Sequence, residues 1–150
     1  MRLTSLVAVA VGLTSAGCGI LTGNHDHGPF RITTDKSSYE YGSKVAVGVR
    51  NISGKVQSYN LCPVALQKFQ NGAWVTVSDF PPAGEACAAI SYTLQPGDST
   101  GFLFTLPSTE LQGGYRLVLP WLGEISLPVD ERATPPFTIT CMNCNFQTTG

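Results

Sequence analysis

Cysteine is the residue type in this 150-residue sequence with the widest range of possible chemistry. Its five copies are Cys18, Cys62, Cys87, Cys141 and Cys144. Because five thiols cannot all form pairs within one chain, at least one of them needs another role. Cys18 is the candidate for that role, since it follows a run of small and apolar residues near the amino terminus.

The histidines, His25 and His27, flank Asp26 and are the two histidines of the chain. Imidazole and carboxylate groups bind zinc, copper or nickel. Two histidines on a glycine-rich segment form an incomplete ligand set, so we expect no metal site and no cofactor. Because residues 28–150 contain no histidine, Ser-His-Asp catalysis, Cys-His catalysis and any histidine general base are excluded.

The ten carboxylates are the remaining groups that could act in catalysis. A glycosidase needs two of them at a defined separation, which a sequence cannot test. We interpret them as solvating surface charges and expect no catalytic residue. Those near predicted loops include Glu85, Asp98, Glu110, Glu124, Asp130 and Glu131.

The amino terminus has the pattern of an export signal. Met1-Arg2 gives a positive start, and residues 3–13 form a short apolar stretch. A helix needs about 20 residues to span a membrane, so this stretch is too short for that purpose. Its length and the small residues that follow predict a cleaved secretory signal over residues 1–17.

Residues Ser15-Ala16-Gly17-Cys18 resemble the lipobox of bacterial lipoproteins, with Ser15 where that family usually has leucine. The resemblance implies cleavage before Cys18, conversion of its thiol to a diacylglyceryl thioether, and attachment to a membrane. Acyl chains contribute roughly 0.8 kcal/mol per buried CH₂, so two or three of them anchor a protein durably. Gly19 after the cysteine implies sorting to the outer membrane or cell surface. Residues 18–29, with three glycines and a proline, are then the lipidated cysteine and a flexible tether.

With Cys18 lipidated, the other four cysteines form an even set in an oxidising compartment, where disulfides persist. Three connectivities are open. Pairing Cys62 with Cys87 would close a loop of about 26 residues and contribute roughly 3.5 kcal/mol on the chain-entropy model. Cys141 and Cys144 would then pair locally. A thioredoxin-like site would need a following helix and a zinc site a second closely spaced pair, so we predict structural disulfides.

Composition and periodicity predict an all-β domain. A net charge of −1 provides no concentrated positive field, which excludes a nucleic-acid partner. Val45, Val47 and Val49 alternate as in a strand with one buried face, and Asn71-Gly72 suits a type I′ hairpin. Turn signals recur about every 8 to 12 residues, which is typical of an antiparallel sandwich or barrel. The predicted strands are 30–34, 44–50, 64–69, 74–77, 89–94, 100–106, 115–119, 124–129 and 137–141.

The order of motifs resembles that of bacterial immunoglobulin-like domains of the secreted and lipoprotein type. The resemblance extends over about residues 30 to 120. It is carried by Tyr39-Glu40-Tyr41-Gly42, Asn51, Leu66-Gln67-Lys68, Gly72-Ala73-Trp74, Leu94-Gln95-Pro96-Gly97 and Gly113-Gly114-Tyr115-Arg116. The resemblance implies an immunoglobulin-like antiparallel β-sandwich of about seven to nine strands over residues 30–150. Trp74 and Trp121 could form a surface on which sugars stack, but we expect them to pack in the core or between the sheets. Arg116 could bind a carboxylate ligand, but we expect it to form a half-buried ion pair.

These expectations indicate a membrane-anchored, non-enzymatic binding or structural module of the bacterial cell envelope. Its partners would be the membrane, through the lipid, and a protein or another envelope component, with loops 79–88 and 107–114 at one end of the sandwich as the contact surface. A proteinase inhibitor that presents residues 80–85 is the first alternative. A hydrolase that uses carboxylates alone is the second.

Overall fold

The computed structural model describes residues 25–81, 86–108, 112–124 and 126–140. The predicted signal, Cys18, Cys141 and Cys144 lie outside the described residues. Within them the chain forms strands and one 3₁₀ helix, Val129–Arg132, which confirms the predicted all-β fold class. No helix among the described residues has the length and apolar character needed to cross a membrane.

Eleven strands are formed by the described residues. In chain order they are β1 His25–His27, β2 Phe30–Thr34, β3 Ser38–Glu40, β4 Lys44–Asn51, β5 Gln57–Tyr59, β6 Val64–Gln70, β7 Ala73–Phe80, β8 Tyr92–Leu94, β9 Ser99–Thr105, β10 Gly113–Val118 and β11 Phe137–Thr140. One sheet has the order β1-β2-β4-β9, the second β3-β11-β10-β6-β7, and β5 and β8 form a two-stranded ribbon. All pairs are antiparallel except β3 with β11.

The core lies between the two large sheets. Alternation in β4 buries Val45, Val47 and Val49, as the sequence predicts. The facing sheet contributes Tyr115 and Leu117 from β10, both fully buried. Side chains from both sheets therefore form one continuous apolar cluster, which is the arrangement of a sandwich.

The hairpin between β6 and β7 has the predicted turn, with Asn71 at φ 52° and Gly72 at φ 81°. Near its other end the pairing shifts between Leu66 and Gln67, so that β7 carries one extra residue there. Such a β-bulge bends the strand that carries the extra residue and increases its local twist.

The segment predicted as a strand over residues 124–129 is not one. The chain turns there, with the Leu127 amide donating to the Glu124 carbonyl at 3.1 Å, and then enters the 3₁₀ helix after Pro128. The apolar alternation was misleading because proline has no amide hydrogen for a ladder and instead suits the start of a helical turn.

Three short strands were not predicted: β1, β3 and β5. The first lies inside the segment expected to be a flexible tether, where residues 25–27 pair with β2. β3 pairs with β11 about a hundred residues later, Ser38 opposite Thr138. Strands of three residues have little periodicity of their own, and such partners are fixed by tertiary structure.

The sandwich has two ends that differ in character. The hairpin end contains residues 41–43, 70–73 and 107–108, where β4 begins and β9 ends. The disulfide end contains residues 51–55, 60–63, 86–91, 95–98 and 119–123. The described residues of loops 79–88 and 107–114 therefore lie at opposite ends, and the prediction that the two loops share one end of the sandwich is wrong.

Candidate functional site

The disulfide end is held together by a bond between Cys62 and Cys87, whose Cα atoms are 5.6 Å apart. Cys62 lies just before β6, and Cys87 lies in the extended segment 86–91 that leads to β8. The bond ties this segment, which belongs to no strand, to the five-stranded sheet.

Asn60 connects three segments at the same end. Its side-chain amide donates to the Ala88 carbonyl at 2.9 Å, and its Oδ1 accepts from the Cys62 amide at 2.9 Å. Its own backbone amide donates to the Trp121 carbonyl at 2.9 Å. Asn60 is 9% exposed, so these bonds satisfy polar atoms of a largely buried residue.

The turn that presents Trp121 is anchored on both sides. Leu119 and Leu122 are fully buried, and the Leu122 amide donates to the Leu119 carbonyl at 3.2 Å. Gly123 has φ +70°, and a Cβ there would come within 2.8 Å of the Phe30 ring. The backbone around Trp121 is thus fixed, while its side chain is 42% exposed. The prediction that Trp121 packs in the core or between the sheets is wrong.

Two adjoining hollows beside Trp121 form a groove, with volumes of about 290 and 420 Å³. Asn60 and Ile90 line both hollows. The described lining residues are all uncharged: Ser58, Tyr59, Asn60, Leu61, Cys62, Ala88, Ala89, Ile90, Ser91, Tyr92, Thr100, Trp121 and Gly123. We call this groove, between the β5–β8 ribbon, segment 86–91 and the Trp121 turn, the aromatic groove.

Large apolar side chains are exposed around the aromatic groove. Ile90 and Tyr92 are each 52% exposed, and the Tyr92 and Tyr59 ring centres are 5.6 Å apart. A group of exposed aromatic and apolar side chains beside a concave surface is a common mark of a binding site. This groove is the candidate functional site.

Arg116, predicted to form a half-buried ion pair, lies on the outer face of the five-stranded sheet. Its Nη1 is 2.5 Å from Asp130 Oδ1, and its Nε donates to Gln67 Oε1 at 2.8 Å. The guanidinium carbon is 4.5 Å from the centre of the Trp74 ring. Since Arg116 is 8% exposed, it has the predicted structural role in an ion pair. Trp74 packs on this outer face rather than between the sheets.

The carboxylates are not gathered at the aromatic groove. None of its described lining residues is Asp or Glu. Glu85 and Glu110 lie outside the described residues, and within those residues no cluster of three or more His, Cys, Asp or Glu could hold a metal ion.

Among the described carboxylates, Asp35 has a shifted pKa; it lies in the turn between β2 and β3, and it does not line the groove. Its Oδ1 accepts from the Tyr39 hydroxyl and the Ala46 amide, each at 2.8 Å. Burial acts to raise the pKa of Asp35, but these hydrogen bonds outweigh it and lower the pKa below its usual value. Burial and the bond to Asp35 raise the pKa of Tyr39 to about 12. The pair connects the turn after β2 to β4.

The loop proposed for a proteinase inhibitor, residues 80–85, is described in part. The Phe80 ring packs edge-on against Phe104, with ring centres 4.7 Å apart. The first side chain of this loop therefore contributes to the packing between the sheets. Residues 82–85 lie outside the described residues.

The sequence of residues 27–129 matches the family model of the bacterial Ig-like domain. The chain belongs to this family. The match covers β2 to β10, so the disulfide and the aromatic groove fall within the matched region, whereas β11 lies beyond it. No curated protein matches the chain.

Similar solved structures include Spo0M, the sporulation control protein from Bacillus subtilis, at 16% identity and a TM-score of 0.45, over 75% of this chain and 49% of that one. A β-glucosidase from Listeria innocua in complex with isofagomine is 14% identical with a TM-score of 0.37, over 73% and 16%. The CARDB domain of a Pyrococcus furiosus protein in complex with di-metal ions is 14% identical with a TM-score of 0.35, over 73% and 84%. The chain spans about half of the Spo0M chain and a far smaller part of the β-glucosidase. We base no functional conclusion on these likenesses.

Sequence reasoning did not find the residues that form the aromatic groove. Asn60, Ile90 and Tyr92 are distant from Trp121 in the chain, and they meet because the disulfide and the hydrogen bonds of Asn60 bring their segments together. The available signal was Pro120-Trp121-Leu122-Gly123, a turn sequence in which a tryptophan has no neighbouring strand to cover it.

Proposed function

We propose that the protein is exported, anchored to a membrane by lipid on Cys18, and acts there as a non-enzymatic binding module of the bacterial cell envelope. The Cys62–Cys87 disulfide is the observation that carries the extracytoplasmic part, because such bonds persist in oxidising compartments. Membership of the bacterial Ig-like domain family agrees with this location. The lipobox-like residues 15–18 support the anchor.

The binding role is supported by the aromatic groove. Its backbone is fixed by a disulfide, by Asn60 and by the buried leucines beside Trp121, while its aromatic side chains remain exposed. A site that is already ordered before the ligand arrives loses less conformational entropy on binding. A module whose exposed apolar side chains are held in place in this way is suited to recognition.

The anchor would also orient the domain. β1 runs antiparallel to β2, so its first residue, His25, lies nearer to the hairpin end than His27, which pairs with Phe30. Six residues lie between Cys18 and His25, and a fully extended chain of that length spans at most roughly 25 Å. The hairpin end would therefore face the membrane, and the disulfide end with the aromatic groove would face away from it.

The test is the intact mass of the mature protein extracted from membranes of a bacterium that expresses the full chain. We expect a chain that begins at Cys18 and carries the mass of two or three acyl chains. Alkylation before and after reduction counts the free and the disulfide-bonded thiols. Four cysteines should be alkylated only after reduction: Cys62, Cys87, Cys141 and Cys144.

Cys18→Ala is the matched control, and it should leave the protein unacylated and free of the membrane fraction. An unmodified Cys18 thiol in the parent protein would disprove the anchor. Free thiols at Cys62 and Cys87 in freshly isolated protein would disprove export to an oxidising compartment.

A further inference from the structure

We infer that the aromatic groove binds an uncharged sugar chain, whose rings stack on Trp121 and Tyr92. This inference rests on the binding role proposed above and names the chemical class of the ligand. It is carried by three properties of the groove, namely its charge, its exposed rings and its hydrogen-bonding side chains.

The described lining residues contain no charged side chain. A ligand with a carboxylate, phosphate or ammonium group would lose water on entering without gaining an opposite charge, which is costly. Arg50, a charged residue at this end that does not line the groove, donates from Nε to the Gly97 carbonyl at 3.1 Å. The groove therefore favours a neutral ligand.

The exposed rings favour a ligand with flat apolar faces. Trp121 lines one hollow and is 42% exposed, Tyr92 lines the other and is 52% exposed, and Ile90 lines both. A pyranose ring presents C–H groups on its faces and hydroxyl groups at its rim. Tryptophan and tyrosine bury such faces well because they offer a large apolar surface with a polar atom at the edge.

The hydrogen-bonding side chains around the rings suit hydroxyl groups. Ser58, Ser91 and Thr100 line the hollows, and a hydroxyl both donates and accepts. Asn60 has a second amide hydrogen besides the one that it donates to Ala88. Sugar hydroxyls can donate to and accept from these side chains, whereas the apolar side chains of a peptide would leave them unpaired.

The position of the groove agrees with a polymeric ligand. The two hollows adjoin, so consecutive rings of a chain could occupy them in turn.

Calorimetric titration of the full mature chain with Cys18→Ala tests the inference. The probes are three neutral hexasaccharides (cellohexaose, N-acetylchitohexaose and mannohexaose), the charged hexagalacturonate, and a neutral peptide rich in valine and threonine. We expect at least one neutral hexasaccharide to bind with a Kd between about 10 μM and 1 mM, and hexagalacturonate not to bind.

Trp121→Ala should weaken that binding at least about tenfold, as truncation of a central aromatic side chain commonly does. Tyr92→Ala should weaken it as well. The matched control is Trp74→Phe, on the outer face beside Arg116, which should bind the sugar as the parent does. Thermal unfolding of each variant checks that the fold is kept, and both groove side chains are exposed enough to be replaced without loss of the core.

Three outcomes would overturn the inference. The first is that no neutral hexasaccharide binds. The second is that a hexasaccharide binds but Trp121→Ala leaves its affinity unchanged. The third is that the peptide binds and the sugars do not. In the last case the proposed binding role stands and the sugar assignment falls. If a photocrosslinking residue at position 90 also captures nothing in the envelope of living cells, the binding role of this groove falls too.

Discussion

The side-chain amide of Asn60 donates to the Ala88 carbonyl at 2.9 Å, across 28 residues of sequence. Two residues further along the same segment, Cys62 is bonded to Cys87. Segment 86–91 is therefore attached to the segment before β6 twice, once by a covalent bond and once by a hydrogen bond. The second attachment fixes the part of the segment nearest to Ile90, which lines the aromatic groove.

Asn60→Ala should destabilise the domain and loosen the groove. It removes two side-chain hydrogen bonds of a nearly buried residue, so we expect a loss of about 1–3 kcal/mol in the free energy of unfolding. Urea denaturation with the disulfide intact measures the loss, and amide hydrogen exchange should speed up at residues 88–91. Ser58→Ala is the control, since Ser58 is exposed and should change stability by less than about 0.5 kcal/mol. Equal effects of the two variants would show that Asn60 does not hold this segment.

Removal of the Cys62–Cys87 bond should cost more. The bond joins residues 25 apart, and the chain-entropy model gives a contribution of roughly 3.5 kcal/mol for such a loop. We expect the double variant Cys62→Ser, Cys87→Ser to lose about that much stability in denaturant titrations. A loss below about 1 kcal/mol would indicate that the unfolded chain is already compact around this loop.

The contact of Arg116 with Trp74 should contribute more to the stability of the fold than its ion pair with Asp130. The Asp130 side chain is 77% exposed, and ion pairs with an exposed partner contribute about 0–1 kcal/mol. Asp130→Asn should therefore change the unfolding free energy by less than about 1 kcal/mol. Arg116→Met should cost about 2 kcal/mol, because it removes the bond to Gln67 and the cation–π contact with Trp74.

Double-mutant cycles separate the two contacts of Arg116. The coupling energy of Arg116 with Trp74 should exceed that with Asp130. The reverse order would mean that the ion pair, despite its exposure, dominates the stability of this outer face.

Asp35 should make stability depend on pH in the acid range. Its pKa is lower in the folded chain than its usual value, so its contribution is fully present above that usual value and is lost as the pH falls through the folded-state pKa. We expect the unfolding free energy of Asp35→Asn to fall less steeply than that of the parent between about pH 5 and pH 2. Parallel curves would show that the bonds to Tyr39 and Ala46 do not favour the charged form.

The proposed anchor predicts which end of the sandwich lies near the membrane. A donor fluorophore at Gln70, in the hairpin end, should transfer energy to acceptor lipids in vesicles more efficiently than one at Lys55, in the disulfide end. Both positions are exposed. Equal transfer from the two positions in acylated protein would contradict the orientation while leaving the anchor itself intact.

Much of the sandwich could be predicted because its central strands are long and periodic. The valines of β4 and the Asn71-Gly72 hairpin carry their structure in local sequence, and both are present as expected. Residues 124–129 show the limit of such patterns. Their apolar alternation predicts a strand, but Pro128 cannot donate to a ladder and precedes a 3₁₀ helix instead. Trp121 shows another limit. Its side chain is exposed, and the sequence of its turn does not indicate which segments lie beside it in the fold.

The fold class, the position of the core strands and the absence of histidine from residues 28–150 follow from the sequence alone, because alternation and residue type are local properties. The tertiary structure was needed to show that Cys62 is bonded to Cys87, that the described parts of loops 79–88 and 107–114 lie at opposite ends, and that Trp121, Tyr92 and Asn60 line one groove. These are contacts between segments far apart in the chain. Their geometry is set by strand pairing and core packing as a whole, which no single stretch of sequence specifies.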